Sequence, residues 1–347
     1  MRVTLFDYYL PAERIAQEPR PRGTSRLLAL NRQSGAIEHR SFSDFPELLR
    51  AGDLLVRNDV KVRPARLYGR DAEGRLVEIF LLEPLAEDRR RWLALAKPGR
   101  RAKKGRTIRF REDLSVRIDE VRRDGKREAF FDREMDDRLL AEIGHVPLPP
   151  YIRRPPDSPD NPRDRAAYQT VYAKEPLAVA APTAGLHFTE EILARAAARG
   201  IAIEDLTVAV GAGTFKPVTV EDTEAHTLDA EQVSFPARTI AAVARARQTG
   251  GRTVSVGTTV ARALESLARR PEEPLAPELR FATDLFITPG FEFRAVDALL
   301  TNFHLPRSTL LMLVCAFAGR ENVLRAYQEA IREGYLFYSF GDAMFAF

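Results

Sequence analysis

The chain has 347 residues, 45% of them hydrophobic and 29% charged, and a formal net charge of +4. This length is typical of about two domains, and the composition is that of an ordinary globular protein. The single cysteine, Cys315, excludes an internal disulfide framework and a cysteine-cluster metal site. Residues 310–318, the longest apolar run, are too few to cross a bilayer, and the first ten residues lack a signal-peptide pattern. We therefore expect a cytoplasmic protein without a membrane partner.

The first third of the chain changes from a mixed pattern to a pattern of strands alone. Residues 25–31 and 36–39 predict a strand pair, 43–49 a short helix and 53–62 a further strand. Six short strand-like runs follow without a helix between them, which is typical of a small closed barrel. These runs are residues 65–68, 76–82, 91–96, 107–110, 116–121 and 128–131.

The positive charge is concentrated in the same region. Residues 89–127 contain sixteen Lys or Arg and five Asp or Glu, a local balance of +11, which leaves −7 for the rest of the chain. This asymmetry favours a polyanion-binding module joined to a mildly acidic body, although a solvated basic surface remains the alternative. Charge alone does not say which polyanion binds.

The remainder of the chain predicts a layered α/β body. Residues 134–143 are helical, and 146–163 carry seven prolines, which indicates an extended crossing and neither a helix nor a central strand. Strands (178–181, 201–210, 252–256) then alternate with helices (189–199, 260–269), whereas 285–287 and 311–316 fit either strands or buried helix. We predict a mixed α/β fold, with a layered main domain (1–63 and 133–347) and an inserted antiparallel β-barrel (64–132).

Residues 182–189 form the most informative segment for chemistry. They place His187 between Thr183 and Thr189, in a loop that opens a helix. A histidine can transfer protons near neutral pH, and a helix start offers N–H groups to an anion. A capped structural loop is the alternative interpretation.

Other segments carry weaker signals, each with a structural alternative. Residues 210–215 and 256–259 put glycines and threonines after strands, where backbone can approach a ligand closely. His226, Asp229 and Glu231 lie within six residues, but their spacing matches no standard zinc or magnesium site, so we expect no metal. Asn302 and His304 lie in a Pro-interrupted loop before an apolar run.

Together these segments resemble the S-adenosylmethionine:tRNA ribosyltransferase-isomerase family of queuosine biosynthesis. The resemblance spans nearly the whole chain. The segments that carry it are residues 6–8, 10–11, 15–17, 25–28, 52–56, 58–59, 62, 64–66, 168–172, 182–189, 210–217, 256–266, 289–290, 301–319 and 338–344.

The resemblance implies a transferase with an unusual use of S-adenosylmethionine as co-substrate, with no permanently bound cofactor. The ribosyl part is transferred to 7-aminomethyl-7-deazaguanine at the tRNA wobble position and isomerised, giving epoxyqueuosine-tRNA, adenine and methionine. The resemblance also implies an α/β body with an inserted barrel, and the anticodon region of tRNA as the bound region. We expect a monomer.

The resemblance and the chemistry suggest candidate residues for three roles. The candidate catalytic residues are His187, His304, Glu231 and Asp7. The candidate cofactor-binding residues are Thr183, Gly185, Gly213, Thr214, Gly257 and Thr258. The candidate substrate-binding residues are Arg106, Arg109, His226 and Asn302. Where the family usually has a second histidine in the 226–231 segment, this chain has Asp229, so no role for that histidine is carried over.

Two other functions remain open at this stage. A non-catalytic tRNA-binding protein would bind tRNA without S-adenosylmethionine. A conventional methyltransferase acting on RNA would produce S-adenosylhomocysteine, although no Gly-rich methyltransferase loop is visible.

Overall fold

The computed structural model describes residues 1–155, 160–211, 218, 220–270 and 277–347. The chain divides into two compact units. The first comprises Met1–Lys61, Gln169–Glu175 and Ala181–Phe347, and the second comprises Val62–Tyr168 and Pro176–Ala180.

The first unit is built on a nine-stranded sheet in the order β15-β13-β12-β3-β14-β16-β17-β1-β2. Its strands are β1 (Arg26–Leu30), β2 (Ile37–Ser41), β3 (Leu54–Asn58), β12 (Ala202–Val208), β13 (Glu231–Pro236), β14 (Thr253–Val256), β15 (Glu278–Thr283), β16 (Ala298–Asn302) and β17 (Ala343–Ala346). Four neighbours, β12, β3, β14 and β16, are parallel. Every residue of β3, β14 and β16 is buried, which fits a sheet that is covered on both faces.

The second unit contains a closed six-stranded barrel in the order β10-β7-β6-β5-β8-β9. Its antiparallel strands are β5 (Arg66–Arg70), β6 (Leu76–Pro84), β7 (Arg91–Lys97), β8 (Thr107–Arg111), β9 (Leu114–Val121) and β10 (Arg127–Phe131). Two short strands, β4 (Val60–Val62) and β11 (Glu175–Ala178), lie where the chain passes between the units. The predicted fold class, a layered α/β domain with an inserted antiparallel β-barrel, is confirmed.

Eight α-helices lie in the described part of the chain. They are α1 (Phe45–Leu48), α2 (Asp137–Ile143), α3 (Pro162–Ala167), α4 (Glu190–Ala198), α5 (Ala237–Gln248), α6 (Thr258–Leu267), α7 (Thr309–Ala318) and α8 (Arg320–Arg332). Besides the barrel, the second unit contains α2 and α3, within residues 133–168 that the prediction assigned to the α/β body.

The structure differs from the prediction in two segments, and it assigns a third to one of its two predicted alternatives. Residues 162–163, predicted as extended, begin α3, because the Asn161 side chain accepts a hydrogen bond from the Arg163 N–H and Pro162 suits the first helical turn. Residues 285–287 are irregular, since strand pairing with β13 ends at Thr283. Residues 311–316 belong to α7, whose first turn is capped by Ser308.

The hydrophobic core of the first unit fixes the 182–189 segment against the sheet. Phe188 is fully buried and meets Phe42 and Phe45 edge-on, with ring centroids 5.1 and 5.6 Å apart. The same cluster includes Phe345 on β17 and Ala184. Aromatic pairs of this geometry add about 0.5–1.5 kcal/mol beyond their area burial. The loop that carries His187 is therefore firmly anchored.

Candidate active site

The candidate site lies at the edge of the sheet where the parallel strands end. β14 and β16 run parallel with Val256 opposite Leu300, so Gly257 and Asn302 follow at the same edge. The 3₁₀ turn Thr183–His187 packs against β16. In open α/β sheets, ligands bind outside the carboxyl ends of the strands.

His187 joins three separate segments through its two ring nitrogens. Nδ1 lies 2.9 Å from the Ser25 hydroxyl oxygen, immediately before β1, and Nε2 lies 3.1 Å from Nδ2 of Asn302 at the end of β16. Asn302 also donates from Nδ2 to the carbonyl oxygen of Tyr338 at 3.0 Å. Tyr338 has a φ of 71°, a conformation that costs an aromatic residue energy and is characteristic of functional sites.

These contacts define the protonation of His187. A carbonyl oxygen only accepts, so the Tyr338 contact orients the Asn302 amide nitrogen toward it and toward Nε2 of His187. Nε2 must then accept, and Nδ1 carries the proton and donates it to Ser25. Burial lowers the pKa of His187 to about 4, which keeps the ring neutral at pH 7.

His304 has one ring nitrogen without a hydrogen-bond partner among the described residues, whereas both ring nitrogens of His187 are engaged. Its Nε2 lies 2.7 Å from the Thr301 hydroxyl, whereas its Nδ1 has no hydrogen-bond partner among the described residues. Its backbone is held by two tyrosines: the His304 N–H donates to the Tyr327 hydroxyl at 3.1 Å, and the Tyr8 hydroxyl donates to the His304 carbonyl. Burial lowers the pKa of His304 to about 3, so this ring is also neutral.

The two neutral histidines should make the fold sensitive to acid. Their folded pKa values, about 4 for His187 and about 3 for His304, lie below the ordinary 6.5, so the unfolded chain binds more protons as the pH falls below 6.5. As the pH falls from 6 to 4, each histidine should therefore lower the free energy of unfolding by about 1.4 kcal/mol per pH unit. Urea unfolding at several pH values measures this slope. A His304→Gln chain should lose the part of this slope that His304 contributes. A slope equal to that of the native chain would contradict the neutral, buried state of His304.

Three polar atoms around the 183–187 turn are buried without a hydrogen-bond partner among the described residues. They are Oδ1 of Asn302, Oγ1 of Thr170 and the hydroxyl of Tyr172. A Cβ atom built on Gly185 would lie 2.2 Å from the Tyr172 hydroxyl and 2.8 Å from Thr170, so only glycine fits there. An unpaired buried polar group costs about 1–3 kcal/mol, which a hydrogen-bonding ligand would recover. Only a hydrogen-bond donor could pair with Oδ1 of Asn302.

The start of α6 lies beside the same turn. Gly257 precedes α6 with a φ of 96°, and a Cβ atom there would meet Ala184 at 3.7 Å. No side chain caps this helix, and Thr258 and Thr259 are buried. The first N–H groups of a helix favour an anionic or hydroxyl-bearing ligand group. Among the predicted residues, the structure thus brings together Thr183, Gly185, His187, Gly257, Thr258 and Asn302, with His304 two residues further along the chain.

The two candidate carboxylates have cationic partners. Asp7 accepts from Nε of Arg307 at 2.9 Å, and its side chain is 39% exposed. Glu231 pairs with Arg262 of α6, and both side chains are only 7% exposed. Each candidate carboxylate is therefore engaged by an arginine, whereas the His304 ring keeps one nitrogen without a partner among the described residues.

Three further predicted residues lie on other segments of the chain. His226 packs edge-on against Phe286 with ring centroids 5.4 Å apart. Arg106 and Arg109 are exposed residues of the second unit. Gly213 and Thr214 lie outside the described residues.

Sequence reasoning missed Ser25, Thr170 and Tyr172 as members of the cluster. It also missed a charged network beside it, in which Asp205 accepts from Nε of Arg57 at 2.8 Å and from Lys174 at 2.9 Å. The guanidinium of Arg57 lies 4.0 Å from the ring centroid of Tyr172. The available signal was the resemblance, because its segments 25–28 and 168–172 contain Ser25, Thr170 and Tyr172.

Within the described ranges, no group of three or more His, Cys, Asp or Glu side chains could hold a metal ion. None of the helices in those ranges has the length and apolar character needed to span a membrane.

Comparison with known proteins decides the family. The sequence model of a family described as "Queuosine biosynthesis protein" matches residues 3–346. The chain belongs to the queuosine biosynthesis protein family. Curated members include proteins named S-adenosylmethionine:tRNA ribosyltransferase-isomerase. One from Thermotoga maritima is 50% identical over 345 residues, covering 99% of each chain. One from Thermosipho africanus is 49% identical over 348 residues, covering 100% of each.

A solved structure in the queuosine biosynthesis protein family is similar as well. A crystal structure of S-adenosylmethionine tRNA ribosyltransferase from Thermotoga maritima superimposes with a TM-score of 0.56 and 40% sequence identity, covering 99% of this chain and 100% of that one. The resemblance inferred from the sequence is therefore confirmed.

Proposed function

We propose that the chain transfers the ribosyl part of S-adenosylmethionine to 7-aminomethyl-7-deazaguanine at the wobble position of tRNA and isomerises it. The products are epoxyqueuosine-tRNA, adenine and methionine. One observation carries this proposal: relatives that are about 50% identical along the entire chain bear the name of this activity. The buried polar cluster at the sheet edge supports it, because its unpaired groups suit a ligand rich in hydroxyl and amino groups.

S-adenosylmethionine supplies a sulfonium, whose positive charge acidifies the neighbouring carbon, and a ribosyl group that parts from adenine. Within the proposal, Oδ1 of Asn302 accepts a hydrogen bond from this co-substrate, because Nδ2 of the same amide is already used twice. The uncapped start of α6 at Gly257 and Thr258 holds its carboxylate or ribose hydroxyls. Gly185 keeps the turn open to the Tyr172 hydroxyl.

His304 serves as the proton-transfer residue in this proposal, and His187 serves as a positioning residue. The neutral imidazole of His304 has an unoccupied ring nitrogen, whereas both ring nitrogens of His187 are engaged by Ser25 and Asn302. A positioned acid or base contributes about 10²–10⁴-fold to a rate. His187 fixes the Asn302 amide in the orientation that leaves Oδ1 available.

The inserted barrel, residues 64–132, is the proposed tRNA-binding module, with Arg106 and Arg109 as phosphate contacts. Both are exposed and lack a carboxylate partner among the described residues. The anticodon region is the part of tRNA that must reach the sheet edge. We propose that the chain acts in the cytoplasm as a monomer, with tRNA and S-adenosylmethionine as its substrates.

The decisive experiment follows the products. The chain is incubated with S-adenosylmethionine and tRNA carrying 7-aminomethyl-7-deazaguanine, and the small molecules are separated. Adenine and methionine in equal amounts are expected. S-adenosylhomocysteine would show methyl transfer instead, and tRNA binding without any product would show a binding protein. tRNA with unmodified guanine at the wobble position is the control and should give no adenine.

A further inference from the structure

One basic segment closes an end of the barrel. Residues 97–106, named the strap here, join β7 to β8 and contain six Lys or Arg and no Asp or Glu. β5 and β6 lie between β7 and β8 in the barrel, so the strap must cross the barrel end. The turns that join β5 to β6 and β9 to β10 lie at this end too, because neighbouring strands are antiparallel.

Hydrogen bonds hold the strap against the barrel rim. Arg101 donates to the Leu76 carbonyl at the start of β6 at 2.9 Å, and the Gly105 N–H donates to the Ile118 carbonyl of β9 at 2.7 Å. Arg127, at the start of β10, donates to the Gly99 carbonyl at 3.1 Å. The strap backbone is thus fixed from three sides of the rim.

Four strap cations have no partner among the described residues. Lys104 pairs with Glu120 at 2.6 Å, and Arg101 is used by the rim contact. The other four side chains are exposed and make no hydrogen bond or ion pair with any described residue. They are Lys97, Arg100, Lys103 and Arg106.

Other exposed arginines of the barrel region are neutralised by neighbours. Arg117 lies 2.8 Å from Asp119, Arg122 lies 2.8 Å from Glu128, and Arg133 lies 2.9 Å from Asp113. Arg123, by contrast, lies unpaired in the turn between β9 and β10 at the strap end, and Arg109 is unpaired in the middle of β8. The unpaired positive charge of the barrel is therefore concentrated at one end.

We propose that the strap end of the barrel is the surface that binds the tRNA phosphate backbone. A cation without a carboxylate neighbour gains most from a phosphate, and the displaced counterions provide the driving force. The strap itself contains no aromatic residue, so it offers charge and no stacking platform for bases. This inference rests on the proposed function. Lys104 is not among the proposed phosphate contacts, because Glu120 already neutralises it.

The test is a triple variant, Arg100→Gln, Lys103→Gln and Arg106→Gln, in the full chain. The dissociation constant for tRNA, measured by filter binding between 50 and 300 mM KCl, should rise roughly 10- to 100-fold at the middle of this range. The slope of log K against log salt should become shallower by about two to three, one unit for each lost phosphate contact. The KM for tRNA should rise, whereas kcat at saturating tRNA should stay within about twofold.

The matched control removes three charges from the same barrel region at paired positions: Arg91→Gln, Arg117→Gln and Arg133→Gln. Each of these arginines lies within 4.0 Å of a carboxylate. The control should bind tRNA within about threefold of the native chain, with the native salt slope. Equal losses in both variants, or native binding by the strap variant, would overturn the inference. Native chain that releases no adenine would instead reject the proposed function.

Discussion

A His304→Ala chain should release adenine about 10²–10⁴ times more slowly than the native chain, because it loses the ring nitrogen available for proton transfer. Nδ1 of His304 has no hydrogen-bond partner among the described residues, and the lowered pKa of the ring, about 3, keeps the imidazole neutral. The readout is single-turnover adenine release at saturating S-adenosylmethionine and tRNA. The dissociation constants of both substrates should change by less than about fivefold, since the backbone of residue 304 is held by Tyr8 and Tyr327.

The matched control is His187→Ala, the same substitution at the other buried histidine. We expect a roughly tenfold loss of turnover and a weaker binding of S-adenosylmethionine, because Asn302 loses the contact that fixes its amide. A His187→Gln chain, in which an amide oxygen can accept from Asn302, should regain part of that binding. If His187→Ala reduces turnover more than His304→Ala, the two roles are reversed.

The pH dependence separates the two histidines further. A base with a pKa of about 3 stays competent down to pH 4, so the decline of kcat/KM between pH 7 and 5 should not follow a histidine with the ordinary value of 6.5. A decline with a midpoint near 6.5 that disappears in His304→Ala would contradict the buried, neutral state of this ring.

Local sequence patterns were sufficient for the barrel. In β6 the burial alternates strictly from Leu76 to Leu82, which is the two-residue period that a sheet with one buried face imposes. Turn sequences such as 71–74 and 123–125 contain a glycine at positive φ, Gly74 or Gly125. Both signals are local, so the six strands follow from the sequence without any knowledge of long-range contacts.

The candidate site depends on long-range contacts that no local pattern reports. His187 meets Ser25 across 162 positions and Asn302 across 115. From the sequence alone, His187 and His304 are equal candidates for proton transfer. Only these contacts show that both ring nitrogens of His187 are engaged. The ion pair of Asp7 with Arg307 spans 300 positions, so only the fold shows that an arginine engages this carboxylate.

Which basic side chains of the barrel are paired with carboxylates also depends on contacts that the composition does not report. Lys104 and Arg106 are equivalent in a count of basic residues. The pairing of β8 with β9 brings Glu120 to Lys104 and leaves Arg106 without a carboxylate. A charge count therefore predicts the module, whereas strand register decides which cations remain available to a phosphate.

An Arg262→Met chain should be less stable than the native chain by about 3–5 kcal/mol. Arg262 and Glu231 form an ion pair with both side chains only 7% exposed, and removing one partner leaves the other charge in a low-dielectric interior. The pair links α6 to β13, so the loss should also loosen the start of α6, where Thr258 lies. Urea unfolding at pH 7, followed by circular dichroism, measures the free energy of unfolding.

The double variant Arg262→Met with Glu231→Gln distinguishes a structural pair from a catalytic carboxylate. Removing both charges should recover most of the lost stability, because replacing a whole buried ion pair by neutral groups is often close to neutral. If Glu231 is purely structural, adenine release should recover together with stability. If stability recovers but turnover stays reduced by 10²-fold or more, Glu231 takes part in the reaction. A single Arg262→Met chain that is as stable as the native chain would contradict the buried ion pair itself.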